Sequence, residues 1–326
     1  MFEAAWTKGE IEKALDPATR FLDPKYIGQR TEWDQPGYLK RPGECLLRLQ
    51  RFDEAAAHFL KIEKATTSRP SARPGRPEPA EGRKFAQECC FLAGRAAFEG
   101  GKHDEALKAL ERVFTDYPEL PDLWHAAQSA IVDAFRKQSR NDDALKAARI
   151  CLDASPERGA IAANTMAIAE ILRSMDGHVG RANQMINFQR YGPDGEDGKP
   201  GTPDDLKDPL AGLPRPSYPD RERAFAGARR TAGDTAQASR YRALTFLYSG
   251  RPTDALKCYL DAFARATGDD YKAMGQDLIV IGARAVRGHA VGLKDFADYV
   301  NYGPAGPDAK PGTADDVKSP FEPLLK

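Results

Sequence analysis

The chain has 326 residues, enough for two compact domains or one elongated repeat array. Lys plus Arg and Asp plus Glu each number 48, and the zero net charge argues against nucleic-acid or anionic-membrane binding, which both draw on a positive excess. No apolar run approaches the roughly 20 residues of a membrane span, so membrane insertion is not expected.

Residues 1–65 open with the helix-like FEAAWTKGEIEKAL, which lacks the apolar core of a signal peptide. A processed or trimmed start fits the same residues, so the compartment stays open. Leu39–Ala65 then reads as a helical hairpin, with Gly43, Leu46 and Leu47 on its first helix and Ala55, Phe59 and Ile62 on its second. The segment 66–82 (TTSRPSARPGRPEPAEG) sustains neither helix nor strand periodicity and is expected to be a mobile linker. Its arginines have no interleaved aromatics and read as solvated.

From Phe85 to Pro118 two helical stretches flank GGKH. Ala93, Gly94 and Ala97 are small on the first, Ala106, Leu110 and Val113 form a stripe on the second, and Pro118 ends it. Small residues at Gly94 and Ala106 let two helix axes approach, while Leu110 and Phe114 fill the groove to the next pair. Trp124–Pro156 keeps the register through Val132, Phe135, Ala144, Ala148 and Cys151. Ser239–Ala266 keeps it again through Ala243, Phe246, Leu247, Ala255, Tyr259 and Ala262.

This order of small, glycine, alanine, large apolar and proline positions resembles the tetratricopeptide repeat. The resemblance implies an all-α fold of helical hairpins stacked as an α-solenoid, a surface for a protein or peptide partner, and no enzymatic role. The segment ALERVFTDYPELPDLWHAAQSAI is also similar to repeats of bacterial envelope lipoproteins, which favour a turn like Phe114–Pro121. That resemblance favours the periplasm or cell envelope over the cytoplasm.

A second regularity is a duplication. Tyr191–Leu210 (YGPDGEDGKPGTPDDLKDPL) and Tyr302–Phe321 (YGPAGPDAKPGTADDVKSPF) share 13 of 20 positions at an offset of 111 residues. The offset also aligns Ala144 with Ala255 and Gly177-His178 with Gly288-His289, giving 22 identities over the 68 residues 143–210. The repeated unit is a hairpin, a second helix pair and a long turn-rich loop. The second pairs are expected over Ala160–Arg190 and Tyr271–Asn301. Residues 83–210 therefore hold two hairpins, a helix pair and the first loop, and residues 211–326 hold the duplicate behind a proline-stiffened link, Ala211–Asp220 (AGLPRPSYPD).

No constellation carries catalysis. GxSxG, P-loop, HExxH and a strand-borne GxGxxG are all absent, and the five histidines have no metal spacing. His178 and His289 recur after glycines and read as hinge caps. Cys45, Cys89, Cys90, Cys151 and Cys258 lack ligand spacing and read as packing residues.

The loops have a structural account. Pro200-Gly201 suits a type II turn, Thr202 with Asp205 suits a variant capping box, and Pro203 suits a first helical position that Pro209 later stops. Asp197 and the glycines before it fall outside that account. The carboxylates Asp194, Asp197, Asp204 and Asp205 in the first loop, with Asp308, Asp315 and Asp316 in the second, also suit calcium, which takes six to eight oxygens. The loops resemble Asp/Gly-rich calcium loops of bacterial surface proteins. A calcium-dependent adhesive or structural module of the envelope is thus the alternative to an interaction scaffold.

Overall fold

A computed structural model of the chain describes residues 2–20, 36–67, 79–155, 158–176, 179–211, 213, 218–232, 235–265, 268–287, 293–303, 307–308, 312–314, 316 and 318–321. It is an all-α helical-repeat fold, with fifteen α-helices and no strand among the described residues. The contacts divide the chain into residues 1–138 and residues 139–326. His178 and His289 lie outside the described residues, as does 68–78 of the expected linker.

The first unit holds α1 (Phe2–Thr7), α2 (Ile11–Arg20), α3 (Pro36–Arg48), α4 (Phe52–Thr67), α5 (Pro79–Glu99), α6 (His103–Thr115) and α7 (Trp124–Lys137), the last entered through a 3-10 turn at Pro121–Leu123. Each helix packs on its neighbour in sequence. Two helices run further than expected: α4 reaches Thr67 and α5 starts at Pro79, so both ends of the expected linker are helical. Proline at the first helical position loses no bond, which makes Pro79 a starter rather than a breaker.

Close approach is visible at two glycines. A Cβ on Gly94 would lie 2.8 Å from Leu110 Cγ, and one on Gly43 would lie 2.5 Å from Phe59 Cζ. In both hairpins the large residue follows the glycine by sixteen positions and sits over it. Leu110 therefore packs within its own hairpin rather than toward the next one. Phe114 does reach onward, with its ring centroid 6.1 Å from that of Trp124 on α7.

The hairpin turns share one device. Gln50, Gly101 and Gly250 have φ of 57°, 77° and 77°, and the following N–H reaches back to Leu46 O, Ala97 O and Phe246 O at 2.9, 2.8 and 2.8 Å. This is a left-handed helix end that satisfies an orphan carbonyl. Ser139 adopts it too, at φ 57°. Gln50 and Ser139 accept a conformation that glycine takes freely, so their turns carry no glycine in the sequence.

A buried polar cluster ties α4 to the α6 turn. Glu63, 4% exposed, accepts from Arg112 Nη2 at 2.5 Å and from Tyr117 Oη at 2.7 Å. Burial, then the bond to Glu63, push the Tyr117 phenol above its ordinary value. Buried Gln87 on α5 donates to Leu120 O at 2.6 Å and so fastens the same turn.

The second unit holds α8 (Asn141–Asp153), α9 (Arg158–Asp176), α10 (Gly180–Tyr191), α11 (Pro219–Thr231), α12 (Ala236–Tyr248), α13 (Pro252–Arg265), α14 (Gly268–Arg287) and α15 (Lys294–Tyr302). The hairpin expected over Leu123–Ala154 is therefore split, with α7 in the first unit and α8 in the second. Within this unit α8 touches both α12 and α14 of the duplicate. Arg284, 5% exposed, donates from Nη2 to Ser155 O at 2.8 Å, and burial lowers its guanidinium to about 10. Helix α11 was not expected from the sequence. Its apolar stripe is short, yet Pro219 at its start, Asp220 and Glu222 in its first turn and Arg229 and Arg230 in its last are helix-end signals.

Candidate functional site

The two turn-rich loops leave their helices in the same way. Gly192 ends α10 at φ 80° and ψ −170°, and Gly303 ends α15 at φ 70° and ψ −167°. Each glycine N–H donates at 2.9 Å to the carbonyl four residues back, Phe188 O or Tyr299 O. Gly201 and Gly312, at φ 84° and 88°, take the matching position of the inner turn. Gly201 N donates to Asp205 Oδ2 at 2.8 Å, and Gly312 N to Asp316 Oδ2 at 2.7 Å.

In the first loop hydrogen bonds account for four carboxylates, Asp197, Asp204, Asp205 and Asp208. Asp204 Oδ2 accepts from Glu196 N at 2.7 Å and Asp197 N at 3.1 Å, and its Oδ1 accepts from Thr202 Oγ1 at 2.6 Å. The Thr202 hydroxyl first, and those amides with it, hold the Asp204 carboxyl below its ordinary value. Asp205 takes Gly201 N on Oδ2 and lies 3.4 Å from Thr202 N on Oδ1, the amide that the acidic half of a capping box takes. Thr202 spends its hydroxyl on Asp204 instead, and Pro203 and Asp204 form a turn rather than a helix.

Asp197, unexplained by sequence, accepts from Lys199 N at 2.8 Å, an Asx turn two residues on. Asp208 accepts from Leu210 N at 2.8 Å in the same manner. The glycine run has its reason as well. A Cβ on Gly195 (φ 68°) would lie 2.3 Å from Asp204 O, so the strand of loop beneath Asp204 admits no side chain. Asp194 is half-buried, Asp308 Oδ1 lies 3.4 Å from Thr313 Oγ1, and Asp315 lies outside the described residues. Among the described residues no group of three His, Cys, Asp or Glu side chains is arranged to hold a metal ion.

Each loop ends in an apolar plug. Leu210 is 4% exposed, and its carbonyl accepts from Arg149 Nη1 on α8 at 3.2 Å. Phe321, fully buried at the matching position, meets Phe296 and Tyr299 edge-on at 5.3 and 5.8 Å between centroids. A Cβ on Gly282 of α14 would lie 2.5 Å from Phe321 Cε1. At the duplication offset Ile171, 1% exposed, stands where the second copy has Gly282. Large and small have been exchanged between the two copies.

The first unit contains an open groove of about 410 Å³ between α2, α3 and α4. Leu15, Pro42, Leu46 and Ala57 supply apolar lining, and Arg51, Glu54, His58 and Lys61 supply polar groups. His58 is fixed by a 2.9 Å bond between Nε2 and Leu39 O, and burial lowers its pKa. Arg51 is held by Glu54 at 2.6–2.7 Å. Sequence reasoning missed this groove, because it joins the α3–α4 hairpin to a third helix, α2, that no motif announces.

Residues 91–119, the end of α5 with α6 and its Tyr117-Pro118 turn, match the family model described as tetratricopeptide repeat. The chain carries a tetratricopeptide repeat at these residues. No curated protein and no solved structure matches it. The five cysteines are free, and four of them are buried. Burial raises the thiols of Cys89 and Cys90, the latter to about 12, which removes both from thiolate chemistry near neutral pH. Cys90 Sγ donates to Ala109 O at 3.2 Å, a contact inside the hairpin.

Proposed function

We propose that this tetratricopeptide-repeat protein is an interaction scaffold that docks a segment of a partner protein, with no catalytic role. The observation that supports the reading is the α2–α3–α4 groove, whose apolar lining is edged by fixed charges. An amphipathic segment gains burial from such a floor and orientation from such an edge. Family resemblance supports the same class of function.

A photo-crosslinking amino acid at Ala57, which is exposed and lines the groove, tests this directly. The expected result is a discrete protein adduct in source cells, lost when Leu15→Asp is added in the groove. Absence of any adduct, or an adduct that persists with Leu15→Asp, counts against the groove as the docking site.

A further inference from the structure

One face of α9 is both exposed and apolar. Between Arg158, at the start of the helix, and Glu170 the eleven residues GAIAANTMAIA carry no charge. The two polar ones among them are already used. Asn164 Nδ2 donates to Cys151 O at 3.2 Å and to Ser155 Oγ at 2.8 Å, and Thr165 Oγ1 donates to Ile161 O at 2.8 Å. Thr165, Ile168 and Leu172 are buried, whereas Ala162, Ala163 and Met166 are exposed, Met166 by 49%. A helix that is apolar all round is ordinarily covered all round.

The duplicated helix shows the opposite arrangement. At the offset of 111 residues, Asp277 and Arg284 of α14 stand where α9 has Met166 and Arg173. They are only 4% and 5% exposed, and they bond Arg240 Nε of α12 and Ser155 O of α8, both at 2.8 Å. The covered helix therefore carries an acid at the position where the exposed one carries methionine. Exposure to water favours the reverse distribution.

The order of residues on α9 says what fits there. Arg158, Ala162, Met166 and Glu170 are four positions apart and form one ridge of the helix. Turned end for end about the level of Asn164, this ridge is its own complement. Arg158 comes opposite Glu170 of a second molecule, and Ala162 opposite that molecule's Met166, each twice. Charges are matched at both ends and large meets small in between, which is what a two-fold interface requires of one patch. We propose that α9 pairs with α9 of a second molecule of this chain, antiparallel, along the ridge from Arg158 to Glu170. The pairing is independent of the groove in the first unit and goes beyond the scaffold reading.

Sedimentation equilibrium on the full chain tests it. One helix pair buries less than a standard interface, so the dimer is expected to be weak, with a Kd on the order of tens of micromolar. Met166→Glu and Glu170→Arg, both at exposed positions, are each expected to raise that Kd at least about tenfold without changing the Tm. Arg158→Glu together with Glu170→Arg exchanges the signs at both ends, so the double variant is expected to return to within about threefold of wild type. Three results overturn the proposal. The first is a wild-type mass that stays monomeric about tenfold above the expected Kd. The second is a dimer that Met166→Glu leaves intact, which would place the contact elsewhere. The third is a double variant no tighter than Glu170→Arg alone.

Discussion

The exchange of sizes between Gly282/Phe321 and Ile171/Leu210 makes a quantitative prediction about how the loops hold the second unit together. Placing isoleucine at Gly282 puts its Cβ 2.5 Å from Phe321 Cε1 and 3.3 Å from Leu256 Cδ1. Carbon atoms pack at about 3.5–4.0 Å, so the Phe321 ring must retreat by about 1 Å or more. Overpacking of this kind costs about 1–3 kcal/mol. The edge-on contacts with Phe296 and Tyr299 are disturbed at about 0.5–1.5 kcal/mol each. Relief of the helical glycine returns about 0.5 kcal/mol. The net expectation for Gly282→Ile is a loss of about 2–3 kcal/mol, or roughly 5–10 °C in Tm for a unit of this size. Phe321→Leu alone leaves a cavity and costs about 1–2 kcal/mol. The double variant reproduces the pair that the first copy uses, so it is expected to recover at least 1 kcal/mol of the summed losses, a coupling of ordinary size for touching residues. Calorimetry or circular dichroism melts of the four proteins complete the cycle. Strict additivity would refute the size exchange as the reason for the two different plugs.

Four further outcomes are expected. Ala106→Leu and Ala255→Leu, both at fully buried positions, should each lose about 1–3 kcal/mol in urea titrations by forcing packed helices apart. Gln50→Gly should raise stability by up to about 1 kcal/mol, because glycine takes φ 57° without the left-handed penalty; a lower urea midpoint would deny the strain. The folded Asp204 carboxyl should titrate below its ordinary value in a carbon-13 NMR series, and Thr202→Val should move it back upward. Since its folded pKa is depressed, its contribution to stability is present above the unfolded pKa and lost as pH falls through the folded one. Calcium titration at millimolar concentration should give a flat heat trace if the loop carboxylates serve their own amides and hydroxyl; an isotherm abolished by Asp197→Ala would assign a metal to the first loop instead.

Much of this protein is written in short-range patterns. The helix class, the hairpins around Gly43 and Gly94 and the repeated loop were all legible, because periodicity and duplication are properties of a linear string. Turn chemistry around Gly201 and Asp205 was legible for the same reason, since its partners lie within four residues. Tertiary structure decided the rest. It showed that Asp197 closes an Asx turn, that Gly195 is required by a carbonyl nine residues away, and that Leu210 and Phe321 are buried plugs, with Phe321 seated on Gly282. It also left Met166 of α9 exposed, and built a groove from α2 with a hairpin that α2 does not belong to. These facts depend on which surfaces meet across long stretches of chain. Such meetings follow from packing volume and buried charge summed over several helices, and no local spacing encodes them.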